Sequence, residues 1–239
     1  MRKIQFAKGN FYHLYNRGTE KRSIFQDDND RWRFLQGMFL FNDSDSSMNV
    51  LAHCSRSLGR TTFGTLKSFL DGRERKPLVG LIGDCLMPNH YHLLVEETEE
   101  NGISKFMQKL GTGYTMYFNT RHERSGSLFQ GRFKSVLIKT QEQLEYLLFY
   151  INVINPAQLI EPSLKDEGVK NISKVLKFVD EYLWSTHQEC SGKRESIIIN
   201  KSSSEMIGEI FSNPEKYQEF ILAELEGKKF ETMNKLLID

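Results

Sequence analysis

The stretch MPNHYHLLV at 87–95 sets two histidines one residue apart, behind a Met-Pro-Asn turn. On a β-strand side chains alternate between faces, so His90, His92 and Leu94 share one side and Tyr91, Leu93 and Val95 the other. Two imidazoles on one face suit a divalent ion, which needs at least one further protein ligand and keeps positions open for water or substrate oxygens. A second candidate is Tyr150, four residues after Tyr146 in an apolar stretch, so both lie on one face of a helix. A tyrosine there fits a core role with its hydroxyl bonded. Its phenol oxygen can also attack a phosphodiester, given activation and a metal that neutralises charge on the phosphate. Between these elements lies a basic stretch, with Arg121, Arg124, Arg132, Lys134 and Lys139 against Glu123 alone, and with His122, Phe129 and Phe133 interspersed. That pattern suits either a solvated loop or a groove for a nucleic-acid backbone with aromatics for stacking.

The elements that must carry these residues are legible in the hydrophobic periodicity. NFYHLYN (10–16) alternates and ends at NRG, a strand and a turn. Residues 26–41 open with acids and continue with Trp32, Phe34, Leu35, Met38, Phe39 and Phe41, a helix with a buried face. From 42 to about 77 the pattern weakens into an insertion, with a helical segment around 63–70. LVGLIGDCLM (78–87) is a continuous strand-type run, and Pro88-Asn89 turns it into HYHLLVEE. Ile103, Phe106, Met107, Leu110, Tyr114, Tyr117 and Phe118 form a helical stripe, with Tyr114 and Tyr117 assigned to the core. FKSVLIK (133–139) is a strand and 141–155 a helix stopped by Pro156. The order β-α-β-β-α-β predicts an α+β fold, a ferredoxin-like core with an antiparallel sheet and helices on one face. The other face is then open for His90 and His92. Residues 161–239 read as an accessory, mostly helical module: helical at 177–188, strand-like at 195–201, and helical at 204–211 and 215–225. The catalytic domain is taken as 1–160.

Composition is that of an ordinary globular protein, 39% hydrophobic and 26% charged over 239 residues with net charge +1. Three cysteines without a C-x-x-C pair argue against a disulfide scaffold or a Cys-type zinc site and fit a reducing interior. The longest apolar run, YLLFYINVI, is far short of a membrane span, and the basic N-terminus lacks the apolar region of a signal peptide. The expected location is the cytoplasm. His13, His53, His122 and His187 have no partner at ligand spacing and stay unassigned.

MPNHYHLLV resembles the HUH signature (histidine, bulky apolar residue, histidine) of single-tyrosine transposases. More closely, the chain resembles the REP-associated tyrosine transposases. The matching stretches are YHLYNRG (12–18), CLMPNHYHLLVE (85–96), YFNTRHERSGSLFQGRFKS (117–135), LEYLLFYINVINPAQLI (144–160) and LWSTH (183–187). The resemblance implies an HUH endonuclease with a nucleophile-bearing helix, a divalent ion (Mg²⁺ or Mn²⁺), and cleavage of single-stranded DNA near hairpins through a covalent 5′-phosphotyrosine. It also implies rejoining of strands without ATP, by a monomer or homodimer. Carried over by position, His90 and His92 are metal ligands and Tyr150 is the nucleophile. The DNA-contacting set is Asn16, Arg17, Arg121, Arg124, Gln130, Arg132 and Lys134.

One departure stands out. Relatives place the third ligand, Asn or Gln, four residues after the tyrosine, whereas Asn155 lies five after Tyr150. On a regular helix five residues rotate about 140°, against about 40° for four. A single π turn would absorb the extra residue; otherwise Asn152 substitutes, water fills the position, or Asn155 is a plain helix-end residue. Two rivals remain at this stage: a domesticated hairpin-binding protein that keeps the fold but not the chemistry, and a ferredoxin-like RNA-binding module that reads bases with sheet aromatics.

Overall fold

The computed structural model describes residues 5–45, 62–69, 74–199 and 213–227. Four strands, β1 (Phe11–Arg17), β2 (Val79–Met87), β3 (His90–Glu97) and β4 (Lys134–Ile138), form one sheet in the order β2-β3-β1-β4. Every neighbouring pair is antiparallel. With helices α1 (Asp28–Phe41) and α3 (Gly102–Arg121) in the two crossovers, this is the ferredoxin-like α+β arrangement expected. Helix α2 (Phe63–Phe69) lies in the 42–77 insertion; 46–61 falls outside the described residues. Helix α4 begins at Gln141 and continues through a π turn (Tyr150–Ile154) to Ala157. Beyond it come α5 (Leu164–Glu167), α6 (Ile172–Glu181), α7 (His187–Cys190) and α8 (Pro214–Glu226).

Local chemistry explains the borders. Asp27 caps α1 by accepting from the Asn29 and Asp30 amides at 2.9 and 3.2 Å. Thr140 caps α4 by accepting from the Gln143 amide, while Gln143 Oε1 accepts from the Lys139 amide. The first face of the sheet packs against α1 and α3 through Tyr12, Leu14, Tyr91, Leu93, Val95, Phe34, Phe106 and Tyr114. Phe34 touches the rings of Phe25, Tyr91 and Tyr114 with centroids 4.9–5.3 Å apart. Trp32, expected on the buried stripe of α1, is instead 38% exposed and meets Trp184 edge-on.

The second face is covered as well. Phe11, Ile82, Cys85, Met87 and Leu94 share a buried cluster with Leu147, Leu148, Tyr150 and Ile151 of the α4 helix, and with Leu164, Val175, Val179, Tyr217 and Ile221 beyond it. The expectation of an open face therefore does not hold. A helix carrying so continuous an apolar run must bury it, and the free sheet face is the surface available. A bulge at Leu81–Gly83 turns Cys85 and Met87 toward this side. Gly83 permits the close approach, since a Cβ there would lie 2.9 Å from Ile151 Cδ1.

The C-terminal part departs from the sequence reading in two places. The helix expected at 177–188 breaks after Glu181, because Tyr182–Thr186 turn to run along β2, where the Leu86 amide donates to the Trp184 carbonyl and the Thr186 amide to the Asp84 carbonyl. Residues 195–199, expected in a strand, form none; Ser196 Oγ accepts from the Ile198 and Ile199 amides in a local turn. The helix expected at 204–211 lies outside the described residues.

Candidate active site

Strand β3 puts His90 and His92 on the second face, beside Leu94, as the alternation requires. Register brings Arg17 opposite His90 and Tyr15 opposite His92, so odd-numbered residues of β1 share this side. His13, left unassigned by spacing, is here too: its Nε2 lies 2.8 Å from His92 Nδ1, and the two rings stack with centroids 5.0 Å apart. His90 Nδ1 is 2.6 Å from Asn89 Oδ1. Each imidazole is thus anchored through Nδ1, the second-ring-nitrogen arrangement common in metal-binding histidines. Burial drives the His90 pKa down to about 4, helped by Lys165 and Arg17, and pushes His92 well below its ordinary value. Both rings are neutral, the form that ligates.

Tyr150 enters from above on the α4 helix. Its ring centroid lies 5.6 Å from that of His92, edge to face, and 6.5 Å from that of His13. The side chain is only 1% exposed. Burial raises the phenol pKa well above its usual value, with Cys85, Tyr146 and Tyr15 adding to the effect. Lys165 Nζ donates to the phenol oxygen at 2.7 Å. Leu164, fully buried in the second-face cluster, pins the short α5 that carries this lysine.

Tyr150 opens the π turn, in which the Asn155 amide donates to the Tyr150 carbonyl. A π turn bonds residue i to i+5, so Asn155 stands one turn along, the relation that four residues give in an α-helix. The extra residue is absorbed. Asn155 is fully buried, its Oδ1 accepting from Gln158 Nε2 at 3.1 Å while its Nδ2 has no hydrogen-bond partner. Asn152, the alternative, has its Nδ2 donating to Tyr217 Oη at 3.1 Å and lying 3.6 Å from Cys190 Sγ, while its Oδ1 is buried without a hydrogen-bond partner. Its amide nitrogen is thereby tied to the packing of α8. Among the described residues no group of three His, Cys, Asp or Glu side chains is placed to hold a metal ion. The two anchored imidazoles fit half of such a site, and an amide or water oxygen would have to complete it.

The basic residues divide. Asn16 Nδ2 donates to the Gly131 carbonyl, and Arg17 Nε donates to Gln130 Oε1, on exposed surface beside His90. Lys134 Nζ lies 5.8 Å from the centre of the Tyr15 ring, and Arg132 is exposed. Arg121 belongs elsewhere. It grips Asp27 at 2.6 and 2.8 Å and buried Asp30 at 2.5 Å, which holds the Asp27 carboxyl down at about 2. It clamps α3 to the start of α1 and leaves the DNA-contacting set. Arg124 is turned inward to Asn119 Oδ1 and the Ser127 carbonyl. His122 bonds Asp30, and His187 bridges Asp180 and Tyr217; His53 lies outside the described residues.

Residues 60–153 match the model of the family described as "Transposase IS200 like". The matched segment is similar to the IS200-like transposases. It spans α2 to the π turn and so contains His90, His92 and Tyr150, though not β1 with His13 nor α5 with Lys165. No curated protein matches the chain. Among solved structures the chain is similar to a REP-associated tyrosine transposase bound to a REP hairpin, with 14% identity, TM-score 0.46, and 86% of this chain and 96% of the other covered. It is more distantly similar to the tRNA(His) guanylyltransferase of Saccharomyces cerevisiae, with 8% identity, TM-score 0.32, and 97% and 86% covered. Among the described residues no helix is long and apolar enough to cross a membrane.

Proposed function

We propose that this IS200-like chain is a metal-dependent single-stranded DNA endonuclease and strand transferase, acting near hairpins in the cytoplasm through a phosphotyrosine at Tyr150. The observation that carries the reading is the phenol ring set 5.6 Å from His92 on the sheet face that also holds His90. His90, His92 and the amide of Asn155 would hold a Mg²⁺ or Mn²⁺ ion, which neutralises charge developing on the scissile phosphate. The chain's own groups do the rest. Arg17 and Lys134 attract the backbone toward His90, Asn16, Gln130 and Arg132 line its approach, and His13 keeps the His92 ring in one orientation. Tyr150 attacks phosphorus and becomes joined to the 5′ phosphate, releasing a 3′ hydroxyl. A second 3′ hydroxyl reverses the chemistry, because the phosphotyrosine conserves the energy of the broken linkage.

The near-complete burial of Tyr150 favours a second reading, a hairpin-binding protein with weak or no catalysis. One experiment separates them: incubation with single-stranded hairpin DNA and Mn²⁺, followed by a denaturing gel. A covalent protein–DNA adduct is expected. It should be absent in Tyr150→Phe, and reduced at least about a hundredfold in His90→Ala or His92→Ala while hairpin binding persists. An adduct that survives Tyr150→Phe refutes the nucleophile assignment. Binding without any adduct in the wild type selects the second reading.

A further inference from the structure

Resting on the proposed cleavage reaction, we infer that Lys165 is a further catalytic residue, the group that takes the phenol proton of Tyr150 as the phosphotyrosine forms and returns it on reversal. Lys165 lies outside the segment that matches the IS200-like family. A buried phenol needs such a partner, since as an acid it is too weak to ionise unaided. Among the described residues the hydroxyl of Tyr150 has one hydrogen bond, and it is to Lys165 Nζ at 2.7 Å. The same Nζ also lies over the ring, 4.6 Å from its centre. The lysine is held in place by its buried neighbour Leu164.

The groups facing this pair are Asp166 on the lysine's own helix, His90 and His92 on β3, Tyr15 on β1, Cys85 on β2 and Tyr146 on α4. Of these, the Asp166 carboxylate is the one that favours the charged lysine, and burial outweighs it, bringing the amine down to about 8. A neutral amine is therefore accessible near physiological pH.

The step balances without a co-reactant. The phenol O–H bond breaks and its proton passes to Nζ; the phenol oxygen bonds to phosphorus; the P–O3′ bond breaks, and the departing oxygen takes a proton from water. In reverse, a 3′ hydroxyl attacks phosphorus and loses its proton to water. The lysine ammonium then protonates the leaving phenolate.

The test uses the full chain, Mn²⁺ and a pool of hairpin oligonucleotides with randomised single-stranded flanks. Adduct formation should fall about 10²-fold or more in Lys165→Met, and by a similar factor in Lys165→Arg, which donates but cannot accept a proton. Hairpin binding should stay within about threefold of wild type in both, because Lys165 acts on the phenol. The wild-type rate should rise with pH to a plateau near the lysine's titration, a rise missing in the arginine variant. A readout free of DNA and metal is the titration of ¹³C-methylated lysines by NMR. One resonance should titrate near 8, vanish in Lys165→Arg and move in Tyr150→Phe. Adduct formation by Lys165→Met within about threefold of wild type, with none in Tyr150→Phe, overturns the lysine's role and leaves the cleavage reading intact. If wild type itself forms no adduct, the cleavage reading fails and takes this one with it.

Discussion

The two faces of the sheet are buried to similar depth by different chemistry. On the first, aromatic rings from α1, α3 and β3 close on one another and Tyr114 Oη donates to the Ile24 carbonyl, while Glu97 Oε1 at the end of β3 is buried without a partner. On the second, a mixed aliphatic and aromatic cluster accompanies the buried polar groups His13, His92, Asn152 and Asn155 and the phenol of Tyr150. Two amide atoms there, Asn152 Oδ1 and Asn155 Nδ2, are buried without a hydrogen-bond partner. Unpaired buried polar groups cost stability and are ordinarily selected against. What sets the second face apart is that its unpaired amides lie beside buried imidazoles and a phenol, a combination organised for chemistry, while the first is dominated by ring packing.

The comparison can be broken by matched truncations. Phe34→Ala, on the first face, should cost about 3–5 kcal/mol by urea unfolding, because it removes a ring packed against three others. Tyr150→Phe, on the second, removes one hydrogen bond and should cost about 1 kcal/mol or less, although it abolishes the adduct. If the two substitutions destabilise equally, the division of labour is wrong. A smaller effect tests the corrected role of Arg121. Arg121→Ala should cost about 2 kcal/mol, since Asp30 is left buried but the guanidinium is partly solvated. Its affinity for single-stranded DNA should be unchanged, whereas Arg17→Ala should weaken binding and flatten its salt dependence. A loss of affinity in Arg121→Ala would restore it to the DNA-contacting set.

A pH-dependent effect concerns Asp84 on β2. Burial, with Glu189 nearby, raises its carboxyl to about 7 against the usual 3.8, and Arg194 offsets only part of this. Between those values the folded protein holds a proton that the unfolded chain has released. Stability should therefore be greatest at the acid end and decline as pH rises from about 4 to about 7, by at most about 1.4 kcal/mol per unit. Unfolding at several pH values should reveal the slope, and Asp84→Asn should flatten it. A slope of the opposite sign would mean that Arg194 outweighs burial.

The order of strand-period and helix-period segments determined the fold class, and alternation along HYHLLVEE determined that His90 and His92 share a face. Strand and helix periods are local properties, set by backbone geometry alone. The five-residue interval from Tyr150 to Asn155 likewise raised the π turn as a possibility before any coordinates. What only the tertiary structure decided were partners distant in sequence: His13 against His92 across 79 residues, Lys165 against Tyr150, Arg121 against Asp27, and the covering of the second sheet face. None of these follows from spacing. Strand register, and which helix buries its stripe where, are settled by the packing of the whole chain.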